Sequence, residues 1–249
     1  MKINYTGILG SIVIIVIWLL ITITGIIDRV FLPTPIDVFK ELGLLLTTKG
    51  IYIDLYATLW RTLSGFTIGA VFGVVVGLSM GFYKSVYQAM EFPVDFFRSI
   101  PATALFPLFI VVFGLGDQVK LFIAAWASSM VILINTLYGI KNVSATKLLV
   151  AKTKKSSSLK IFTKIIFPGA LSNIFGGLRI GFSLAMVVEV VSEMFLGSND
   201  GLGYRVFNAS SIFEMEEVYA TIIIIGVMGY LLNKSIIIVE KKLVHWVGK

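Results

Sequence analysis

Hydrophobic positions along this chain fall in long blocks, not in alternating or heptad patterns. Runs of about 20 apolar residues, enough to cross roughly 30 Å of hydrocarbon as a helix, occur at 8–27, 62–83, 96–115, 121–140, 174–196 and 218–239. They predict six transmembrane helices, the third and fourth joined by a tight Gly114-Leu115-Gly116-Asp117 turn. Lys2 precedes the first run as in a secretory signal. That run is long for such a segment and no small-x-small cleavage site follows, so it is expected to stay in the chain. Composition agrees with the pattern: 57% apolar residues, 14% charged residues and a mean hydropathy of +0.94 leave too little polar surface to coat a soluble globule of 249 residues. The expectation is an all-α integral membrane protein, with 1–249 forming a single transmembrane domain.

The polar positions set the orientation. Residues 141–164 carry seven lysines and no acid, and no Asp or Glu occurs from Gln118 to Val188. Cations beside apolar spans mark the cytoplasmic side. With six spans and the N-terminus inside, the inner segments carry Lys2, Lys84, those seven lysines, Lys241, Lys242 and Lys249. The outer loops carry Arg29, Lys40, Lys49 and Arg205. Both termini are therefore expected to be cytoplasmic. A nucleic-acid patch is the competing reading of the lysine run, but no soluble domain is visible to carry it.

Within the spans, glycine recurs at every fourth position of the second: Gly65, Gly69, Gly73, Gly77 and Gly81. Such a stripe has no side chains and lets another helix approach closely in lipid. Pro101 and Pro107 interrupt the third span, whose freed backbone groups need partners inside protein or water. Charges buried in a membrane are costly and so point to function. The candidates for a translocation path are Arg98, Pro101, Arg179, Glu189 and Glu193. Asp95 and Arg98 can pair across one helical turn, Glu189 and Glu193 share a helix face, and Lys234 can snorkel to the interface. Cysteine is absent and the one histidine, His245, lies in the C-terminal tail, so no metal or His-based catalytic centre is expected. There is no nucleophile elbow and no Gly-x-x-x-x-Gly-Lys-Ser/Thr phosphate loop, so any ATP-driven work needs another chain. The residues alone leave transporter, channel and membrane enzyme open.

A succession of motifs narrows this. Phe31-Leu32-Pro33-Thr34-Pro35, Arg98-Ser99-Ile100-Pro101-Ala102, Phe106-Pro107-Leu108, Phe113-Gly114-Leu115-Gly116, Phe167-Pro168-Gly169-Ala170-Leu171, Gly177-Leu178-Arg179, Glu193-Met194 and Gly201-Leu202-Gly203 resemble, in order and spacing, the permease subunit of ATP-binding-cassette importers of the nitrate/sulfonate/taurine group, the binding-protein-dependent inner-membrane components. The resemblance implies a type I importer permease fold like that of the methionine importer, with a cytoplasmic coupling helix. It also implies a homodimer in the cytoplasmic membrane of a prokaryote, two cytoplasmic ATPase subunits that hold ATP and magnesium, and an extracytoplasmic solute-binding protein. The permease is then no enzyme and holds no cofactor. The outer segments 28–59 and 197–217 would face the binding protein. Cargo in this group includes nitrate, sulfonates, taurine, bicarbonate and thiamine-precursor pyrimidines, and the sequence does not choose among them; a small anionic solute is the expectation. A secondary transporter or channel without an ATPase is the alternative reading.

The family's coupling loop reads Glu-Ala-Ala, then a glycine, then an apolar run ending in Leu-Pro. Aligned on Phe167-Pro168, Leu149 stands at the glutamate, Val150 and Ala151 at the alanines, and Lys155 at the glycine. The resemblance assigns contact with the ATPase to Leu148, Leu149, Val150, Ala151, Lys152, Lys155 and Ser156, with Leu148, Leu149 and Ala151 as the buried part. The family also has an apolar residue at the position of Glu189.

Overall fold

The computed structural model describes residues 5–244, apart from the side chains of 5–8 and 152, and among them there is no strand. His245, Lys2 and Lys249 lie outside the described residues. The chain opens with α1 (Tyr5–Ile23) and α2 (Pro35–Leu45). Thr34 caps α2 by accepting from the Asp37 amide at 3.2 Å and donating to the Asp37 carboxylate at 2.7 Å, while Pro35 occupies the first turn, where no amide is needed. Then come α3 (Lys49–Phe82), α4 (Lys84–Arg98), a 3-10 turn (Ala102–Leu105), α5 (Phe106–Phe113) and α6 (Asp117–Lys141). They are followed by α7 (Ala145–Thr153), α8 (Ser158–Ile161), a π turn (Phe162–Ile166), α9 (Phe167–Phe195), α10 (Leu202–Ser211) and α11 (Met215–Leu243).

Among the described residues four helices are long and apolar enough to cross a membrane, α3, α6, the continuous run Ser158–Phe195 and α11, and the bent pair of α4 and α5 makes a fifth if it is counted as one span. The all-helical membrane architecture is as expected, with the count of six replaced by four or five spans among the described residues. The third expected span is broken into α4 and α5, which meet at 90°, while of the first the described apolar stretch is Leu9–Thr24. The cause of the break is local. Pro101 has no amide hydrogen and forces Ile100 away from helical geometry, so α4 ends at Arg98 and the chain turns before Ala102.

The core is a three-helix layer of α3, α6 and α9. The five glycines of α3 lie against α6, where a Cβ at Gly65, Gly73 or Gly77 would sit 2.7 Å from the carbonyl oxygen of Leu121, Ser129 or Leu133. At Gly69 it would sit 2.2 Å from the Ser128 hydroxyl, and at Gly81 2.6 Å from Ile140. A second set, Gly177 and Gly181 on α9, brings that helix to within 2.6 Å of Asn135 and 2.7 Å of Ile132 by the same measure. Lipid supplies no hydrophobic drive between helices, so these close approaches are what dispersion contacts require. Ile123, Ile132, Leu133 and Phe182 fill the remaining space and are fully buried. α11 leans on this layer from one side and α2 packs on α11 through Val38, Leu45 and Ala220.

Candidate functional site

α3 is 34 residues long, about 51 Å at 1.5 Å per residue, well beyond the 30 Å of hydrocarbon. Its first 13 residues therefore precede the apolar block at 62–83, and they carry Asp54, Thr58 and Arg61 on the face turned to α9. Glu193 of α9, only 1% exposed, meets them. Its carboxylate accepts from Arg61 Nη1 at 3.0 Å, from the Thr58 hydroxyl at 2.8 Å and from the Gly203 amide at 2.9 Å. Arg61 also donates through Nε to Asp117 at 2.8 Å, and through Nη2 to Asp200 at 2.5 Å. One guanidinium thus joins α3, the start of α6, the end of α9 and the loop beyond it. Asp54 extends the network, accepting from the Gly201 amide at 2.9 Å and from Arg205 Nε at 2.7 Å. Burial opposes the charge of Arg205, but its hydrogen bonds to Asp54 and Glu217 outweigh this and raise its pKa above the ordinary value.

This clasp accounts for the Gly201-Leu202-Gly203 motif. A Cβ at Gly201, where φ is +115°, would lie 2.4 Å from the Glu193 carboxylate. At Gly203 it would lie 2.2 Å from the carbonyl of Val190. Only glycine lets the loop fold back onto the acid and offer its amides.

Glu189, one turn deeper in α9, is fully buried, and neither carboxylate oxygen has a hydrogen-bond partner among the described residues. The charged groups around it are Glu193, Arg61, Lys120 and Asp117. Lys120 is itself 2% exposed and reaches Asp117 at 3.6 Å.

The path candidates drawn from the sequence therefore go to three places. Glu189 and Glu193 are sealed in the helix core and line neither the cavity at the α4–α5 elbow nor the groove between α9 and α11. Arg98 and Pro101 border a cavity of about 610 Å³ at the α4–α5 elbow, with Thr103, Trp126 and Asn135. There Arg98 Nε donates to Asp95 at 2.8 Å, both side chains half exposed. Arg179 lies instead in a groove between α9 and α11 and pairs with Glu240 at 3.6 Å.

The lysine-rich loop folds as α7 followed by a sharp stop. Lys155 adopts φ +50°, and the Ser156 amide returns to the Ala151 carbonyl at 3.1 Å, a Schellman closure of the kind that favours glycine at the left-handed position. Two of the three residues expected to form an outward contact turn inward: Ala151 is buried, and Leu148 packs with Ile140, Ile166 and Ile174. Leu149, 64% exposed, and Val150 are the apolar residues α7 presents, beside Leu159 at 73%. Lys152 lies in the helix, with its side chain outside the described residues.

Sequence reasoning missed Asp54, Thr58, Arg61, Asp117 and Lys120, and the tally of loop charges leaves Arg61 and Lys120 aside. Their signal is weak because they lie outside the apolar blocks and, apart from the Lys120–Asp117 pair, their partners are more than 50 residues away. The spacing Asp54, Thr58, Arg61 on one helix face is the one local cue.

Residues 69–249 match the family described as binding-protein-dependent transport system inner membrane component. The aliphatic sulfonates transport permease protein SsuC of Bacillus subtilis (strain 168) is 32% identical over 96% of this chain and 87% of its own length. The taurine transport system permease protein TauC of Escherichia coli (strain K12) is 26% identical over 95% of this chain and 88% of its own. Among solved structures, an inward-facing conformation of the MetNI methionine ABC transporter aligns with a TM-score of 0.63 at 17% identity, covering 82% of this chain and 98% of that one. The helical architecture is that of an ABC importer permease, and the chain belongs to the binding-protein-dependent transport system inner membrane component family.

Proposed function

We propose that this chain is the membrane-spanning subunit of an ATP-binding-cassette importer for a small anionic solute of the sulfonate, taurine, nitrate or bicarbonate class. It works as a homodimer in a prokaryotic cytoplasmic membrane with both termini inside. A binding protein delivers solute to the side of the Arg61 clasp, and two separate ATPase subunits holding ATP and magnesium dock on the lysine-rich side. The observation that carries the reading is α7. Leu149 and Val150 stand exposed among lysines on a helix whose other face is anchored to this chain's own core. An apolar tip with a basic rim is suited to an acidic-rimmed groove on a partner, since the buried centre of a contact carries most of its energy. The elbow cavity supports the solute class: Arg98 keeps two guanidinium nitrogens beyond the one given to Asp95, and the Thr103 hydroxyl adds a donor for an oxyanion.

The test is co-purification of the ATPase paired with ATP-dependent uptake in vesicles. Leu149→Asp places a charge in the contact, costs on the order of a few kcal/mol, and should release the ATPase or uncouple hydrolysis from uptake. Normal uptake by this variant would remove α7 as the coupling element.

A further inference from the structure

The groove between α9 and α11 does not belong to the clasp or to the elbow cavity. Of the four long helices α11 is the least covered, with 11% of its apolar window buried. It stands off from α9 and leaves a space of about 1160 Å³. The space runs from Gly176 to Val191 of α9, about 22 Å at the helical rise, roughly one and a half times the depth of one leaflet of a 30 Å hydrocarbon layer. Its floor is made by Gly176 and Gly226, where an added Cβ would meet nothing within 4 Å. Its walls are Ile, Val, Phe and Met side chains.

One end differs from the rest. Arg179, Lys234 and Lys241 line the groove there, and the one acid beside them is Glu240, paired with Arg179. It is the end at which α9 leaves the lysine-rich loop. Lys234 stands over the Tyr230 ring, 5.5 Å from its centroid, an amphipathic pair of the sort found at headgroup depth. Slightly deeper, Asn233 donates to the Ser183 hydroxyl at 3.3 Å, while its buried Oδ1 has no partner among the described residues.

We propose that this groove is a binding site for an anionic phospholipid. The phosphate is held by Arg179, Lys234 and Lys241, and one acyl chain lies along the glycine floor between α9 and α11. Charge complementarity selects the headgroup, because basic pockets between membrane helices on the cytoplasmic side attract anionic lipid. A soluble anion would satisfy the cations but leave the apolar length of the groove uncovered. The proposal requires only that the chain lies in a bilayer.

The experiment uses the full chain in delipidated micelles with Tyr230→Trp as a reporter and the parent chain as background. Phosphatidylglycerol or phosphatidylcholine with brominated acyl chains is titrated in. Quenching by phosphatidylglycerol should saturate at about tenfold lower lipid than quenching by phosphatidylcholine. Arg179→Gln with Lys234→Gln should bring the two lipids within about twofold of each other. Gly226→Leu should abolish quenching by both without lowering the melting temperature, since the site it fills is open. Saturating inorganic phosphate should not restore fluorescence. Equal half-saturation by the two lipids, a preference that survives loss of the cations, or recovery with phosphate alone would overturn the proposal. So would absence of saturable quenching together with cross-linking of Ile237→Cys between two copies, which would mean that another chain covers this face.

Discussion

At the scale of single residues, burial decides what an ion pair is worth. Arg61 and Arg98 each pair with aspartate at 2.8 Å, yet Arg61 is buried and Arg98 half exposed. Arg61→Ala would strand Glu193 in the core, and losses of about 3–5 kcal/mol are typical when one partner of a buried pair is removed. Arg98→Ala should cost under about 1 kcal/mol, because water screens the pair. Thermal unfolding in detergent of the two variants checks the contrast, and equal melting temperatures would contradict it. A second residue-scale prediction concerns Lys155. A left-handed backbone costs a residue with a Cβ about 1–2 kcal/mol, so Lys155→Gly should slow amide exchange in α7 and leave uptake unchanged. The residue scale is also where the sequence says least. Glu193 is visible as an intramembrane acid, but its partner Arg61 lies 132 residues earlier and outside the apolar block, so no local pattern joins them.

At the scale of elements, helix contact follows glycine spacing. The four-residue period on α3 is readable directly, because a helix places such positions on one stripe whatever surrounds it. The orientation of α7 is not readable in this way. Leu148, Leu149, Val150 and Ala151 are all apolar, and only packing against Ile140 and Ile166 decides that two of them turn inward. The elbow was half legible: prolines announce a break, but the 90° turn depends on where α6 receives the second half. Glycine also has opposite effects in different elements. Gly69→Ala would drive a Cβ to 2.5 Å from the Ala125 carbonyl, an atom that cannot swing aside, and should lower the melting temperature. Gly43→Ala in α2 meets nothing within 4 Å and should raise stability by about 0.5–1 kcal/mol through helix propensity alone. Melting curves for the pair separate close approach from propensity.

At the scale of the whole molecule, the basic loop and the clasp sit at opposite ends of the long helices, which makes topology measurable. With the loop inside, Ser211→Cys should react with an impermeant thiol reagent in intact cells, and Ser156→Cys should react only after lysis. The chain has no cysteine of its own to confuse the readout. Labelling of Ser156→Cys in intact cells would reverse the orientation. The span of the clasp bears on biosynthesis as well. Arg61 is made long before Glu193 and Asp200, which follow 132 and 139 residues later. At 5–20 residues per second, the wait is about 7–28 s. During that interval Asp117, only 56 residues on, is the first of its carboxylates to emerge. A nascent α3 therefore spends its early life with a cation lacking its deepest counter-charge, and the clasp can close only when the last turn of α9 and the loop beyond it have left the ribosome.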